Sequence, residues 1–222
     1  MDRRNREHIA NHYDGVFQRC YVRGKLVSDP VYAATAELLE GSSLPLLDIG
    51  CGIGLLGQYL NTQGRPRRYV GLDHDPRKIA AGRLAAQRGA LDGLMDLQHA
   101  DAAELPSVQG DVALLDVLHY LPAPRQIKLL RSVVGHLTPD GCLIIRNVLR
   151  EKNWRFHATR IEEFFLRASG WIPGGAQHYP NASELRVPLE DAGLDVHIEP
   201  LHGRTPFNSY LIVARKTKVQ SA

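Results

Sequence analysis

The sequence predicts an α/β fold built on a mostly parallel sheet, and three observations carry that prediction. Short apolar runs alternate with helical segments between residues 44 and 149. The first run ends in a glycine-rich turn, Asp48-Ile49-Gly50-Cys51-Gly52-Ile53-Gly54, and the second ends in an acid, Asp73. Parallel strands are buried on both faces, so they read as continuous apolar runs, and helices must cross between them.

The elements follow in order. Residues 5–40 read as helical in two pieces, interrupted near Gly24 to Pro30. Leu44 to Ile49 is the first strand, and helical character returns from Leu55 to Leu60. RYVGLD forms a second strand ending at Asp73. Pro76 then sits in a first helical turn, where its missing N–H costs nothing, and an Ala-rich helix runs to about Arg88. MDLQHA and DVALLDVL are strands three and four, with Asp116 near the end of the fourth. After Pro124, the residues Ile127, Leu130, Val134 and Leu137 share a 3.6-residue stripe. Pro139-Asp140-Gly141 turns the chain into a fifth strand, CLIIRNVL. A final helix starts near Asn181, and LDVHIEPL and NSYLIVARK, joined by HGRTPF, close the chain.

Residues 150–180 break this alternation. They hold Trp154, Phe156, Phe164, Phe165, Trp171 and Tyr179, beside Arg150, Lys152, Arg155 and Arg160. The segment reads either as an extra helix anchored by its aromatics or as a cap over a pocket. Long insertions at strand C-terminal ends are where α/β proteins build their sites.

Composition bounds the function. With 222 residues, 44% hydrophobic and 23% charged, the chain reads as a single domain, 1–222, with a sizeable core. Disorder, collagen-like repeats and coiled coils are excluded. No run approaches 18 uncharged apolar residues, and the basic MDRRNREH has no apolar run behind it, so a soluble cytoplasmic protein with no membrane span is expected. Cys20, Cys51 and Cys142 form no CxxC pair, which argues against a disulfide framework and a thiolate zinc site. His8 and His12 stand four apart without a third ligand, so no metal is expected. The net charge of +3 gives little support for a nucleic-acid partner. The basic RPRR precedes strand two, on the sheet edge away from the glycine turn. Nothing in the sequence sets an oligomeric state.

Glycines between a strand and a helix let the backbone turn sharply and approach a ligand, and the helix N-terminus offers unpaired N–H groups. Gly52-Ile53-Gly54-Leu55-Leu56-Gly57 is literally G-x-G-x-x-G, and Asp73 lies 21 residues beyond Gly52. That spacing also satisfies a dinucleotide fingerprint, so an oxidoreductase or a nucleotide sensor stays open on the motif alone.

The context is more specific. Asp48 precedes the turn, giving D-x-G-x-G-x-G; GLDHDP, HADAAELP, DVALLDVLHYLP and TPDGCLII follow at matching places. From about Leu44 to Lys216 the chain resembles class I S-adenosylmethionine-dependent methyltransferases, in their small-molecule branch. The resemblance implies a Rossmann-like seven-stranded sheet with helices on both faces and the last strand antiparallel. It implies an N-terminal helical lid (1–42), a cofactor-binding core (43–149), a cap insertion (150–180), and a C-terminal helix with the closing strand pair (181–216).

By that resemblance, Gly50, Gly52 and Gly54, with Cys51 between them, pass the methionine part of S-adenosylmethionine. Asp48 orients its ammonium, Asp73 accepts the ribose hydroxyls, and Asp101 with Ala102 takes the adenine. His74, where relatives usually carry an apolar residue, stacks on adenine or points to solvent. Asp116 closes the cofactor set, and Tyr13 in NHYDGVF either covers the cofactor or is a core tyrosine. Methyl transfer to a small apolar or aromatic acceptor is expected, leaving S-adenosylhomocysteine. His119, after strand four, is the candidate general base or a pocket wall. Tyr120, Trp154, His157, Phe164 and His178 are the candidate acceptor contacts. The amide- and base-nitrogen motif N/D-P-P-Y/F is missing after strand four, where the chain reads Asp116-Val117-Leu118-His119. An RNA- or protein-directed methyltransferase is the alternative.

Overall fold

Every apolar run singled out above becomes a strand: β1 (Leu46–Ile49), β2 (Tyr69–Asp73), β3 (Met95–His99), β4 (Asp111–Leu115), β5 (Cys142–Val148), β6 (Leu194–Pro200) and β7 (Ser209–Lys216). The computed structural model describes residues 1–159, 175–203 and 206–217. The strands form one sheet in the order β3-β2-β1-β4-β5-β7-β6. β1 to β5 pair in parallel, and β7 runs antiparallel to both β5 and β6.

Helices α1 (Arg3–Asn11), α2 (Gly15–Ser28), α3 (Val31–Leu38), α4 (Leu55–Thr62) and α5 (Pro76–Arg88) cover one face. Helices α6 (Ala123–Val134) and α7 (Ala182–Glu190) cover the other. Alternate strand residues feed the two cores. Leu46, Tyr69 and Ile144 face the first, and Leu47, Val70 and Ile145 face the second.

Two local expectations are corrected. The N-terminal region forms three helices, because the chain breaks at His12–Asp14, before Gly15 at φ +72°, and again at Asp29-Pro30. Gly24 lies inside α2. The buried face of α6 carries Gln126, Leu129, Leu130 and Val133, while Ile127 is exposed. Gln126 takes the core position because its Nε2 donates to the carbonyls of Leu118, Leu121 and His178 at 2.8–2.9 Å. Side-chain polarity misleads where such a network is satisfied.

The basic stretch before β2 has a structural use. The Arg67 guanidinium is buried, donating to Asp111 Oδ2 at 3.1 Å and to the carbonyls of Leu39 and Ser42. Asp111 also accepts from Ser42 Oγ and from the Cys142 N–H. Arg65 binds the Ala36 carbonyl and Glu40. Removing one partner of a buried, hydrogen-bonded pair leaves an uncompensated charge and costs about 3–5 kcal/mol. Chemical denaturation of Arg67→Leu should show a loss of that order, whereas exposed Arg68→Ala should stay within about 0.5 kcal/mol of the parent.

Candidate functional site

Because β1 lies between β2 and β4, the chain leaves β1 toward one side of the sheet and later returns on the other. Such a switch point opens a crevice at the strand C-terminal ends, where open α/β sheets bind ligands. A cavity of about 790 Å³ occupies it, with α2 forming its far wall. That volume accommodates a cofactor and a small acceptor together.

The turn after β1 is shaped by close approach. The N–H groups of Gly50 and Cys51 both donate to the Leu72 carbonyl, at 2.7 and 2.8 Å. Gly50 adopts φ +79°, and a Cβ there would stand 2.2 Å from Val117 Cγ2. Gly52 donates its N–H to Asp73 Oδ2 at 2.9 Å, and Asp75 donates its own to Asp73 Oδ1 at 2.8 Å. The Asp73 carboxylate therefore ties the first loop to the second while still lining the cavity.

Asp48 sits at the base of the turn, buried in β1, and also lines the cavity. Its Oδ2 accepts from the Tyr69 hydroxyl, but its buried Oδ1 has no hydrogen-bond partner. Burial pushes its carboxyl up to about 7, against the pull of the Tyr69 hydrogen bond and with the Asp73 charge adding to the rise.

A second set of groups lines the opposite wall. Arg146 on β5 donates from Nη1 to Asp116 and, at 3.0 Å, to Asp29 Oδ2; Lys25 Nζ also reaches Asp29 Oδ2 at 3.0 Å. Asp116 holds φ +60°, a strained value for a residue with a Cβ. His119, in the 3-10 turn Leu118–Tyr120, is buried, with Nδ1 2.9 Å from Asn147 Oδ1. Burial lowers its pKa below the usual histidine value, against the opposing effects of Asp116 and Asn147. The ring is therefore neutral at pH 7 and chemically able to accept a proton.

Asp48, Gly50, Cys51, Gly52, Asp73, His74, Asp101, Ala102, Asp116, His119 and Tyr120 all line this one cavity. Gly54 lies behind it as the N-cap of α4. His74 stands on the rim with its ring largely in solvent. Asp101 Oδ1 accepts from the Ala103 N–H and from Arg125 at the cavity edge.

Other expectations are corrected. Tyr13 does not reach the cavity: its ring is buried and its hydroxyl donates to the Ile53 carbonyl at 3.0 Å, so it props the glycine turn from behind. Trp154 is exposed beneath Arg155, whose guanidinium lies 4.7 Å from the ring centre. His157 is exposed, and His178 Nε2 lies 3.2 Å from Glu184; neither lines the cavity. Phe164 falls outside the described residues, as do Phe165, Trp171 and Arg160.

Sequence reasoning passed over Tyr21, Lys25, Asp29, Tyr32 and Arg146, all of which line the site. Two signals were available. Tyr21, Lys25 and Asp29 recur at a four-residue spacing, which places them on one helix face. Arg146 interrupts an otherwise apolar strand, and a charge in a buried strand needs partners.

Fold and site together define a cofactor-binding α/β domain of the kind that carries its chemistry at the strand C-terminal edge. Residues 47–143 match the methyltransferase domain family. A ubiquinone biosynthesis O-methyltransferase of Rickettsia typhi is 26% identical over 158 residues, which cover 70% of this chain and 61% of that protein. Among solved structures, mitomycin 7-O-methyltransferase superposes with a TM-score of 0.68 at 21% identity, covering 90% of this chain and 56% of that one. Magnesium protoporphyrin IX methyltransferase of Synechocystis PCC 6803, solved with bound S-adenosylhomocysteine, gives 0.69 at 17% identity, covering 96% and 94%. The family match and the shared fold are consistent with the class I S-adenosylmethionine-dependent methyltransferase superfamily. It spans about three fifths of the length of the Rickettsia relative. No helix among the described residues is long and apolar enough to cross a membrane.

The Asp48 carboxyl makes stability depend on pH. Between about pH 4 and pH 7 the fold holds a proton that the unfolded chain has already released. Stability therefore falls as pH rises through that window, and the cost persists above it. Asp48→Asn removes the charge but keeps an acceptor for Tyr69. In the absence of ligand it should be more stable than the parent at pH 8, by about 2–4 kcal/mol, with the difference vanishing toward pH 4. Melting curves at the two pH values test this; a variant less stable at pH 8 would contradict the burial of an uncompensated charge.

Proposed function

We propose that this chain transfers the methyl group of S-adenosylmethionine to a hydroxyl oxygen of a small apolar or aromatic molecule. The observation that carries this reading is the partnerless, buried Asp48 Oδ1 on the wall beside the glycine turn. A dinucleotide would bring a pyrophosphate to that turn, against a buried carboxylate that repels it. An α-ammonium group suits the same atom, because it supplies the missing donor and the missing charge. S-adenosylmethionine fits the remaining groups as well: the Asp73 carboxylate has lone pairs left for ribose hydroxyls, and Asp101 and Ala102 flank the adenine end.

When bound, S-adenosylmethionine supplies a methyl group on a sulfonium leaving group. The chain's own work is alignment, exclusion of water and proton removal. Helix α2 closes the crevice through Tyr21 and Lys25, which fits a lid role for residues 1–42. His119 would accept the hydroxyl proton of the acceptor, leaving its oxygen able to take the methyl group that bound S-adenosylmethionine would supply. The names of the relatives, O-methyltransferases acting on small molecules, support oxygen as the acceptor atom. A nucleic-acid partner is disfavoured because Arg65 and Arg67 are engaged by Glu40 and Asp111. Three unpaired cysteines fit a reducing, cytoplasmic setting.

Thermal unfolding with S-adenosylhomocysteine, NAD and NADP in separate arms tests the cofactor. At roughly 100 times its dissociation constant a ligand adds about 2.7 kcal/mol, or about 5–10 °C here. The shift should appear with S-adenosylhomocysteine alone and be lost in Asp73→Ala; a shift with NAD alone would make the protein an oxidoreductase. A panel of phenols and hydroquinones with labelled cofactor tests the acceptor, and His119→Gln should lower turnover about 100-fold or more at unchanged cofactor affinity.

A further inference from the structure

His119 can act as a base only at whichever ring nitrogen lacks a proton, and the structure shows what decides this. Asn147 lies on β5, fully buried, directly behind the ring. Its Nδ2 donates to the Val148 carbonyl at 2.8 Å, which fixes the amide so that Oδ1 faces His119. A flipped amide would set oxygen against oxygen at Val148 and N–H against the backbone N–H of His119. Oδ1 stands 2.9 Å from His119 Nδ1 and 3.4 Å from the His119 backbone nitrogen. An amide oxygen can only accept, so the Nδ1 position must carry the hydrogen.

We infer that Asn147 is a positioning residue that holds His119 in its Nδ1–H tautomer and so places the basic lone pair on Nε2. This rests on the methyltransferase reading and on His119 as its base. The rest of the pocket supports a fixed ring. Tyr179 stacks on His119 at 5.9 Å with an interplanar angle of 4°, Tyr120 packs at 4.1 Å, and the His119 carbonyl accepts from the Gln177 N–H at 2.8 Å. Among the described residues, the charged groups that bear on the ring are Asp116, at the end of β4, and Arg146 on β5, which pull its titration in opposite directions. In the reaction the acceptor O–H proton passes to Nε2, giving an imidazolium whose Nδ1–H still donates to Asn147, and that proton then leaves to water. A neutral amide suits this cycle because it orients the ring without holding the proton on it, as a carboxylate would.

The test is nitrogen-15 spectroscopy of histidine-labelled protein from about pH 5 to about pH 9, with His119→Gln identifying the signals. Long-range proton–nitrogen correlations should show wild-type His119 protonated on Nδ1 and bare on Nε2 when neutral. Asn147→Asp, which pairs the imidazolium with a carboxylate, should raise the midpoint by at least about one pH unit. Asn147→Leu should lower it, shift the ring toward the Nε2–H tautomer and reduce kcat by about 10- to 100-fold, with S-adenosylhomocysteine affinity unchanged. Opposite shifts in the two variants are not produced by general loosening of the fold. If Asn147→Leu does not fold, the wild-type tautomer and the Asn147→Asp midpoint decide. A wild-type ring protonated on Nε2, or an unmoved midpoint in Asn147→Asp, overturns the assignment. Full methyl transfer by His119→Gln with the Nδ1–H pattern intact would instead overturn the base reading, and with it the catalytic part of Asn147.

Discussion

The contact on which the site depends is the one between the backbone at Gly50 and the side chain of Val117. β1 and β4 are neighbours that part company at their C-terminal ends, and each must turn away at once for a crevice to open. Gly50 does so at φ +79° with no room for a Cβ, and Asp116 does so at φ +60° despite having one. Strain is thus placed on both sides of the same opening. It is held by hydrogen bonds on each side: Gly50 and Cys51 to Leu72, and the Asp116 N–H to the Arg146 carbonyl. The surrounding sheet over-determines both turns, the condition under which local strain persists.

The wall opposite this turn is made by charge rather than by apolar packing. Lys25, Asp29, Arg146 and Asp116 form a continuous chain from α2 to the sheet, two cations against two carboxylates. Burying Asp29 and Arg146, with Lys25 and Asp116 only partly exposed, gains little net stability, since desolvation offsets most of the attraction. What it provides is geometry. Arg146 cannot satisfy both acids unless α2 stands at one distance and in one rotation over β5, so the position of α2 is specified by side-chain chemistry. A wholly apolar contact would permit sliding.

Much of this was legible in the sequence, for physical reasons that also mark where legibility stops. The central strands were readable because a strand buried on both faces shows as an unbroken apolar run between turn residues, as in DVALL and YVGLD, whereas the edge strands MDLQH and LDVHIEP alternate buried and exposed residues. The glycine turn and the acids Asp48 and Asp73 were readable because their roles are set by local backbone and short spacing. The α6 stripe was misread because Gln126 takes a core position once three carbonyls satisfy its amide, a tertiary circumstance that no periodicity records. Tyr13 was assigned to the cofactor because an N-terminal tyrosine can equally cover a ligand or brace the loop beneath it. The break at His12–Asp14 re-aims the following helix, and it is Tyr21 on that helix, not Tyr13, that reaches the cavity. Trp154 and His157 were drawn in by composition, although an aromatic cluster says nothing about which ring faces inward.

The site's acids divide by how their charge is answered, and that division bears on what the cavity selects. Asp73 is satisfied by two backbone N–H groups, Asp101 by a backbone N–H and Arg125, and Asp116 by Arg146. Among the described residues Asp48 is the one carboxylate with a buried oxygen that has no partner. An acid left in that state rises toward neutrality, so the ligand-free site carries a group poised between its two charge states at physiological pH. A cationic ligand group resolves that state by supplying the opposite charge, and a phosphate makes it worse. On the proposed reading, the same glycine geometry that serves dinucleotides elsewhere is turned against them, and the discrimination would lie in a carboxylate two residues before the first glycine.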